Sequence, residues 1–315
     1  MAMSNTLGAV FPGQGSQQVG MLSALAASNP LVEATFAEAS AVLGYDLWQL
    51  VCDGPAEELA LTHITQPAIL TASVAIWRIW EAAGGAQPAL MAGHRLGEYS
   101  ALVCSGALAF TDAVGLVRKR GEFMQGAVPV GVGAMAAIVG LEDEAVVDAC
   151  ARAAASSAGV VAAVNFNSPG QVVIAGHRPA VDAAIEACKA AGAKRALPLP
   201  VSAPFHSPLM QPAAERFAEV LEGISIQVPV VPVLQNYSLE SSTDVDTIRR
   251  NLVAQIHNPV PWVETVRRFR ARGITRLVEF GPGKVLSGLN KRIDAELQVA
   301  TVNDPDSLQA ALAGA

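Results

Sequence analysis

The stretch from residue 88 to 103 narrows the folds open to this chain more than any other. Residues 88–93 are a short apolar run, Gly93-His94-Arg95-Leu96-Gly97 interrupts it, and apolar residues then return at helical spacing through Leu102 and Val103. Strand, tight turn and helix therefore meet at residues 93–97. The pattern has a precedent earlier in the chain, where the apolar run 7–11 stops at Pro12-Gly13-Gln14-Gly15. Residues 29–43, with Pro30 suited to a first helical turn, and residues 66–84 read as helices between these two strands. Alternation of short buried strands with helices is α/β architecture.

The middle of the chain has a different rhythm. Strands are predicted at 133–139, 159–165, 171–175 and 195–201, and helices at 142–155 and 179–191. The order β-α-β-β-α-β is that of a ferredoxin-like unit, and nothing repeats it elsewhere. It reads as one inserted subdomain over residues 129–200. The main domain then consists of residues 1–128 and 201–315, with further strands predicted at 228–235 and 276–280 and helices at 248–255 and 260–272. The strand at 276–280 ends in Gly281-Pro282-Gly283-Lys284, a third glycine loop. A cleft is expected between the two units.

Composition excludes several classes. With 51% hydrophobic and 16% charged residues in 315, the chain has ample core and is not disordered. The net charge of −7 leaves no electrostatic footprint for nucleic acid. An acidic partner would need a local basic patch, for which Arg118, Lys119, Lys194, Arg195, Lys284 and Arg292 are candidates. Cys52, Cys104, Cys150 and Cys188 form no C-x-x-C pair, which fits thiols in a reducing compartment. The start of the chain is no signal peptide, and the apolar stretch 67–80 is too short to span a bilayer. A cytoplasmic protein is expected, with monomer as the default.

With serine in its centre, the segment 93–97 would read G-x-S-x-G, the nucleophile elbow of α/β acyl-transfer enzymes. Glycines flank that motif because strand and helix pass too close for side chains. The central residue sits in a strained turn that pushes its side chain into the cleft, and the N–H of the next residue, Leu96, faces a developing oxyanion. Ordinary strand-to-helix packing accounts for the same glycines. His206, in Pro204-Phe205-His206-Ser207-Pro208, suits a general base and equally a surface loop. Gln14 offers a second oxyanion donor, or its loop is only a tight turn. Arg120 is either part of a solvated helix face or a bidentate clamp for a carboxylate. His63, His94, His177 and His257 lack metal-ligand spacing, so no metal site is expected.

Residues 11–17, 93–100, 120–121, 165–176, 204–207, 255–262 and 279–284 together resemble the malonyl-CoA:acyl carrier protein transacylases of bacterial type II fatty acid synthesis. The resemblance runs from about Leu7 to about Ile293, and acyltransferase domains of polyketide synthases share part of it. It implies an α/β-hydrolase-like main domain with the ferredoxin-like (βαββαβ) small subdomain inserted. Position 95 would hold the nucleophilic serine and His206 the base that deprotonates it. The backbone carbonyl of Gln255 would orient that histidine in place of a carboxylate. Gln14 and Leu96 would form the oxyanion hole, Arg120 would clamp the malonyl carboxylate, and Gln66 and His94 would line the pocket. Two half-reactions through one acyl ester would give ping-pong kinetics, with malonyl-CoA as substrate, acyl carrier protein as partner and no cofactor.

Arg95 departs from that pattern. A guanidinium stays protonated and is no nucleophile. Ser100 and Cys104 lie at least a turn further along the helix, and Ser202 and Ser207 have no oxyanion donors beside them. No acidic triad member presents itself between Arg95 and His206, which disfavours a conventional hydrolase. Two readings stay open: a transacylase impaired by one substitution, or a non-catalytic module that binds malonyl groups, CoA or a carrier protein.

Overall fold

The computed structural model describes residues 2–201 and 203–314. Nine strands form two sheets: β1 Met3–Phe11, β2 Gln87–Gly93, β3 Gly133–Val139, β4 Val161–Ser168, β5 Gln171–His177, β6 Arg195–Pro198, β7 Val233–Leu234, β8 Arg276–Phe280 and β9 Gln298–Val302. Five of them make a parallel sheet in the order β7-β2-β1-β8-β9. The other four make an antiparallel sheet in the order β4-β5-β3-β6. That second sheet and its two helices, Asp143–Ser157 and Arg178–Ala190, reproduce the ferredoxin-like order read from the sequence.

Parallel strands buried on both faces need helices on both sides, and the apolar residues divide accordingly. One cluster fills the side carrying Phe11, Trp77, Trp80 and Phe280, whose rings meet edge to face or tilted. A smaller cluster around Val10, Leu234, Trp262 and Phe269 covers the opposite side. The antiparallel sheet has its own core, drawn wholly from residues between Ala134 and Ala196.

The run at 228–235 becomes strand only at β7, because Pro229 and Pro232 withhold ladder donors on either side of Val230 and Val231. Strand β6 likewise stops at Pro198, short of residue 201. The helix expected at 66–84 begins a turn earlier, at Thr62, and passes through Pro67. Strand β9 and the closing helix Pro305–Ala313, whose Asp304 and Ser307 cap each other, lie beyond the predicted elements. Among the described residues no helix is long and apolar enough to cross a membrane.

All three glycine loops collect at the carboxyl edge of the parallel sheet, after β1, β2 and β8. A side-chain carbon on Gly281 would fall 2.3 Å from the Pro12 ring, so the third loop closes directly onto the first. This edge is where open α/β sheets bind ligands.

Candidate active site

The elbow after β2 is tight for measurable reasons. A Cβ on Gly93 would lie 1.8 Å from the carbonyl carbon of Gly97, and one on Gly97 would lie 2.0 Å from the Phe11 oxygen. Only glycine fits either place. Between them Arg95 is forced to φ 58°, the left-handed region that side chains avoid. Asn236, buried in the loop after β7, holds this turn from outside: its Oδ1 accepts from Arg95 N at 2.8 Å, and its Nδ2 donates to the Gly93 carbonyl at 2.6 Å. Helix Gly97–Cys104 starts immediately afterwards. The N–H groups of Leu96 and Gln14 donate to no other described residue.

Seven of the eight residues singled out in the sequence are joined here by hydrogen bonds, and Leu96 is the eighth, next to Arg95 in the chain. His206 is buried at φ 61°, and its Nδ1 lies 2.9 Å from the backbone carbonyl of Gln255. Burial and the nearby Arg120 charge push its imidazole down to about 3, so the ring is neutral at physiological pH. Arg120 is 2% exposed, which removes the solvated-face reading. It donates to Gln66 Oε1 at 3.0 Å and to Gln255 Oε1 at 2.7 Å, with its guanidinium over the Tyr99 ring. Gly121, beside it, would place a Cβ 2.7 Å from the His63 Cα, so glycine lets this helix approach Thr62–Ala82 closely enough for Gln66 to be reached.

The Arg95 side chain turns toward the first glycine loop and donates to the Gln14 carbonyl at 2.7 Å. It keeps part of its surface in solvent, and burial plus Arg120 lower its guanidinium to about 10, still charged at neutral pH. Neither Arg95 nor Arg120 forms an ion pair with an acid among the described residues. His94 is buried edge-on to Trp262, with Nε2 3.0 Å from Asn167 Oδ1 on β4. That bond ties the elbow to the inserted sheet.

Among the described residues, the other candidate nucleophiles are withdrawn. Ser100 is buried within its helix, the Cys104 thiol is pushed well above its usual range by burial, and Ser207 Oγ donates to Pro204 O. Ser202 lies outside the described residues. Of the candidate basic patch, Lys194, Arg195, Lys284 and Arg292 are exposed, whereas Arg118 and Lys119 are engaged by Glu122.

No acid contacts His206, but sequence reasoning missed a buried one close by, Glu98. This carboxylate is fully buried and accepts from Gln235 Nε2, Asn236 N and Gln255 Nε2. The only local signal was a glutamate in the first turn of a helix, where solvated acids are common.

Comparison with known proteins matches residues 9–306 to the acyl transferase domain family. Two proteins described as malonyl CoA-acyl carrier protein transacylase are similar throughout. That of Salmonella typhimurium is 59% identical over 96% of this chain and 97% of its own length. That of Bacillus subtilis is 46% identical over 96% and 95%. Among solved structures, an acyl carrier protein S-malonyltransferase from Vibrio cholerae superposes with a TM-score of 0.95 at 56% identity, covering 97% of this chain and 99% of that one. A malonyl-transacylase solved in complex with a type II polyketide acyl carrier protein gives 0.96 at 56% identity, covering 98% and 99%.

Proposed function

The chain belongs to the acyl transferase family, and from that premise we propose that it is built as a malonyl-CoA:acyl carrier protein S-malonyltransferase of fatty acid biosynthesis whose transfer step is blocked at Arg95. The observation that carries the reading is the buried His206, held by the Gln255 carbonyl and neutral, at the mouth of an elbow whose oxyanion donors are unengaged.

With a hydroxyl at position 95 the steps would be these. His206 takes the hydroxyl proton as the oxygen attacks the thioester carbon. The N–H groups of Leu96 and Gln14 receive the oxyanion. The C–S bond then breaks, and CoA leaves as the thiol with the proton returned by His206. The acyl ester passes to the phosphopantetheine thiol of an acyl carrier protein by the same steps in reverse. Arg120, poised by two amide oxygens and free of any acid, would clamp the malonyl carboxylate, with Gln66 and His94 lining the pocket. No resident metal or organic cofactor is called for, and the chain would act as a cytoplasmic monomer.

Arg95 offers no lone pair to a thioester, and its guanidinium spans the space between the elbow and Gln14. Loss of an enzyme nucleophile costs on the order of 10⁶ in rate. The test is malonyl loading followed by intact mass. Incubated with malonyl-CoA, Arg95→Ser is expected to gain one malonyl group and the chain as it stands none. An adduct on the unsubstituted chain, or none on a folded Arg95→Ser, would refute the reading.

A second reading is favoured by the two unpaired guanidiniums: a cationic pocket that binds malonyl-CoA or a carrier protein without turnover. It requires malonyl-CoA to bind more tightly to the chain as it stands than to Arg95→Ser. Titration calorimetry distinguishes the two.

A further inference from the structure

Glu98 is a charge buried where none is needed for folding of a helix start. All three groups pointing at it are N–H donors: Gln235 Nε2 at 3.1 Å on Oε1, and Asn236 N at 2.9 Å and Gln255 Nε2 at 2.8 Å on Oε2. Gln255 is the residue on which the site turns. Its Nε2 is shared between Glu98 and the Arg95 carbonyl at 2.9 Å, its Oε1 accepts from Arg120, and its backbone carbonyl holds His206. A side-chain amide is nearly symmetric in shape but opposite in hydrogen bonding at its two ends. Two acceptors on one side oblige Gln255 to present its oxygen to Arg120.

We propose that Glu98 is a positioning residue for acyl transfer: its carboxylate fixes the orientation of the Gln255 side-chain amide and, through that amide, the placement of Arg120. The inference rests on the transacylase reading given above. Glu98 never reaches the reacting atoms. It acts on the side-chain amide of Gln255, whereas His206 is held by the backbone carbonyl of the same residue.

The charged and titratable groups acting on Glu98 are Arg120 from helix Phe110–Gln125 and Tyr99 from its own helix, with Arg95, His94 and His206 elsewhere in the same site. Gln66, Gln235, Asn236 and Gln255 are uncharged. Burial pushes Glu98 up to about 7, while His206 falls to about 3, His94 lies well below its ordinary value, and Arg95 titrates near 10. Within this cluster Glu98 alone changes charge around neutrality.

The unsubstituted chain therefore contains its own perturbation. With ¹⁵N-labelled arginine, the Arg120 Nε–H resonance is expected to shift with a midpoint near pH 7, and to lose that shift in Glu98→Gln. Absence of the titration, or its persistence in Glu98→Gln, overturns the proposal. In the Arg95→Ser background, Glu98→Gln is expected to lower kcat/KM for malonyl-CoA by about 10²-fold, the scale of a small misplacement at a reacting centre, and for acetyl-CoA by less than about tenfold, since acetyl has no carboxylate to place. Equal losses on both thioesters would mark Glu98 as merely structural and sink the idea. Should Arg95→Ser itself fail to turn over, the transacylase reading falls while the resonance still decides the role of Glu98. Should Glu98→Gln not fold, the titration of the unsubstituted chain decides alone.

Discussion

Arg95 combines several costs at one position: a left-handed φ, a guanidinium partly withdrawn from water and a like charge on Arg120. The fall of its guanidinium from 12.5 to about 10 corresponds to about 1.4 kcal/mol per unit disfavouring the charged form. Its partial exposure brings the cost down to roughly 2 kcal/mol. Against that stands one hydrogen bond to the Gln14 carbonyl, a net gain of about 1 kcal/mol. Arg95→Ser is therefore expected to raise the free energy of unfolding by about 1 kcal/mol, read as a higher urea midpoint at pH 7. A lower midpoint would mean that the arginine is held by contacts that outweigh its charge. Position 95 is thus a place where function and stability can be separated, since the same substitution should restore chemistry and ease the fold.

At the scale of elements, the elbow shows which parts of the site were legible. Its glycines were readable because strand and helix meet within residues 93–97: the Gly93 clash lies inside that segment, and the Gly97 clash against Phe11 follows from pairing of the first two strands. The same geometry sets opposite signs for two glycine substitutions. Gly97→Ala drives a methyl into the Phe11 carbonyl and is expected to cost more than about 3 kcal/mol, since backbone cannot give way as a side chain would. Gly288→Ala, in helix Val285–Ile293 with nothing near its Cβ, is expected to stabilise by roughly 0.5–1 kcal/mol through the unfolded chain. Urea denaturation of both variants checks the pair, and equal effects would refute the packing argument. What stayed hidden were Asn236 and Glu98. Their partners lie 141 and 157 residues away along the chain, and no spacing rule joins a glutamate in one helix to a glutamine in another. The proline-bracketed loop of His206 gave the residue but not its burial, because exposure of a loop depends on what folds over it.

Across the whole molecule, buried titratable groups of opposite tendency are balanced against each other. Glu98 and Glu279 are each raised by burial from 4.5 to about 7, the latter despite accepting from Leu286 N and from Ser287 N and Oγ at the start of a helix. His206 is lowered from 6.5 to about 3 and His94 is lowered well below 6.5. Between pH 4.5 and 6.5 the folded chain holds two glutamate protons that the unfolded chain has released. Over the same range the unfolded chain holds two histidine protons that the folded chain refuses. Stability rises with pH where the unfolded state binds more protons and falls where the folded state does, so these contributions oppose and nearly cancel. Glu81 and Asp143, raised, and His257, lowered, add smaller parts of the same two signs because they are less buried. The unfolding free energy is expected to be nearly flat from pH 4.5 to 6.5. Below 4.5 the glutamates are protonated in both states while the histidines still charge only on unfolding, so stability drops. Glu98→Gln removes one of the two glutamate protons from the balance and leaves that of Glu279. In that variant stability should climb with pH between 5 and 6.5 by about 1.4 kcal/mol per unit, one proton's worth. Urea midpoints at half-unit steps decide it, and a steep slope in the unsubstituted chain or a flat one in Glu98→Gln would show that these groups are not the ones governing its response to acid.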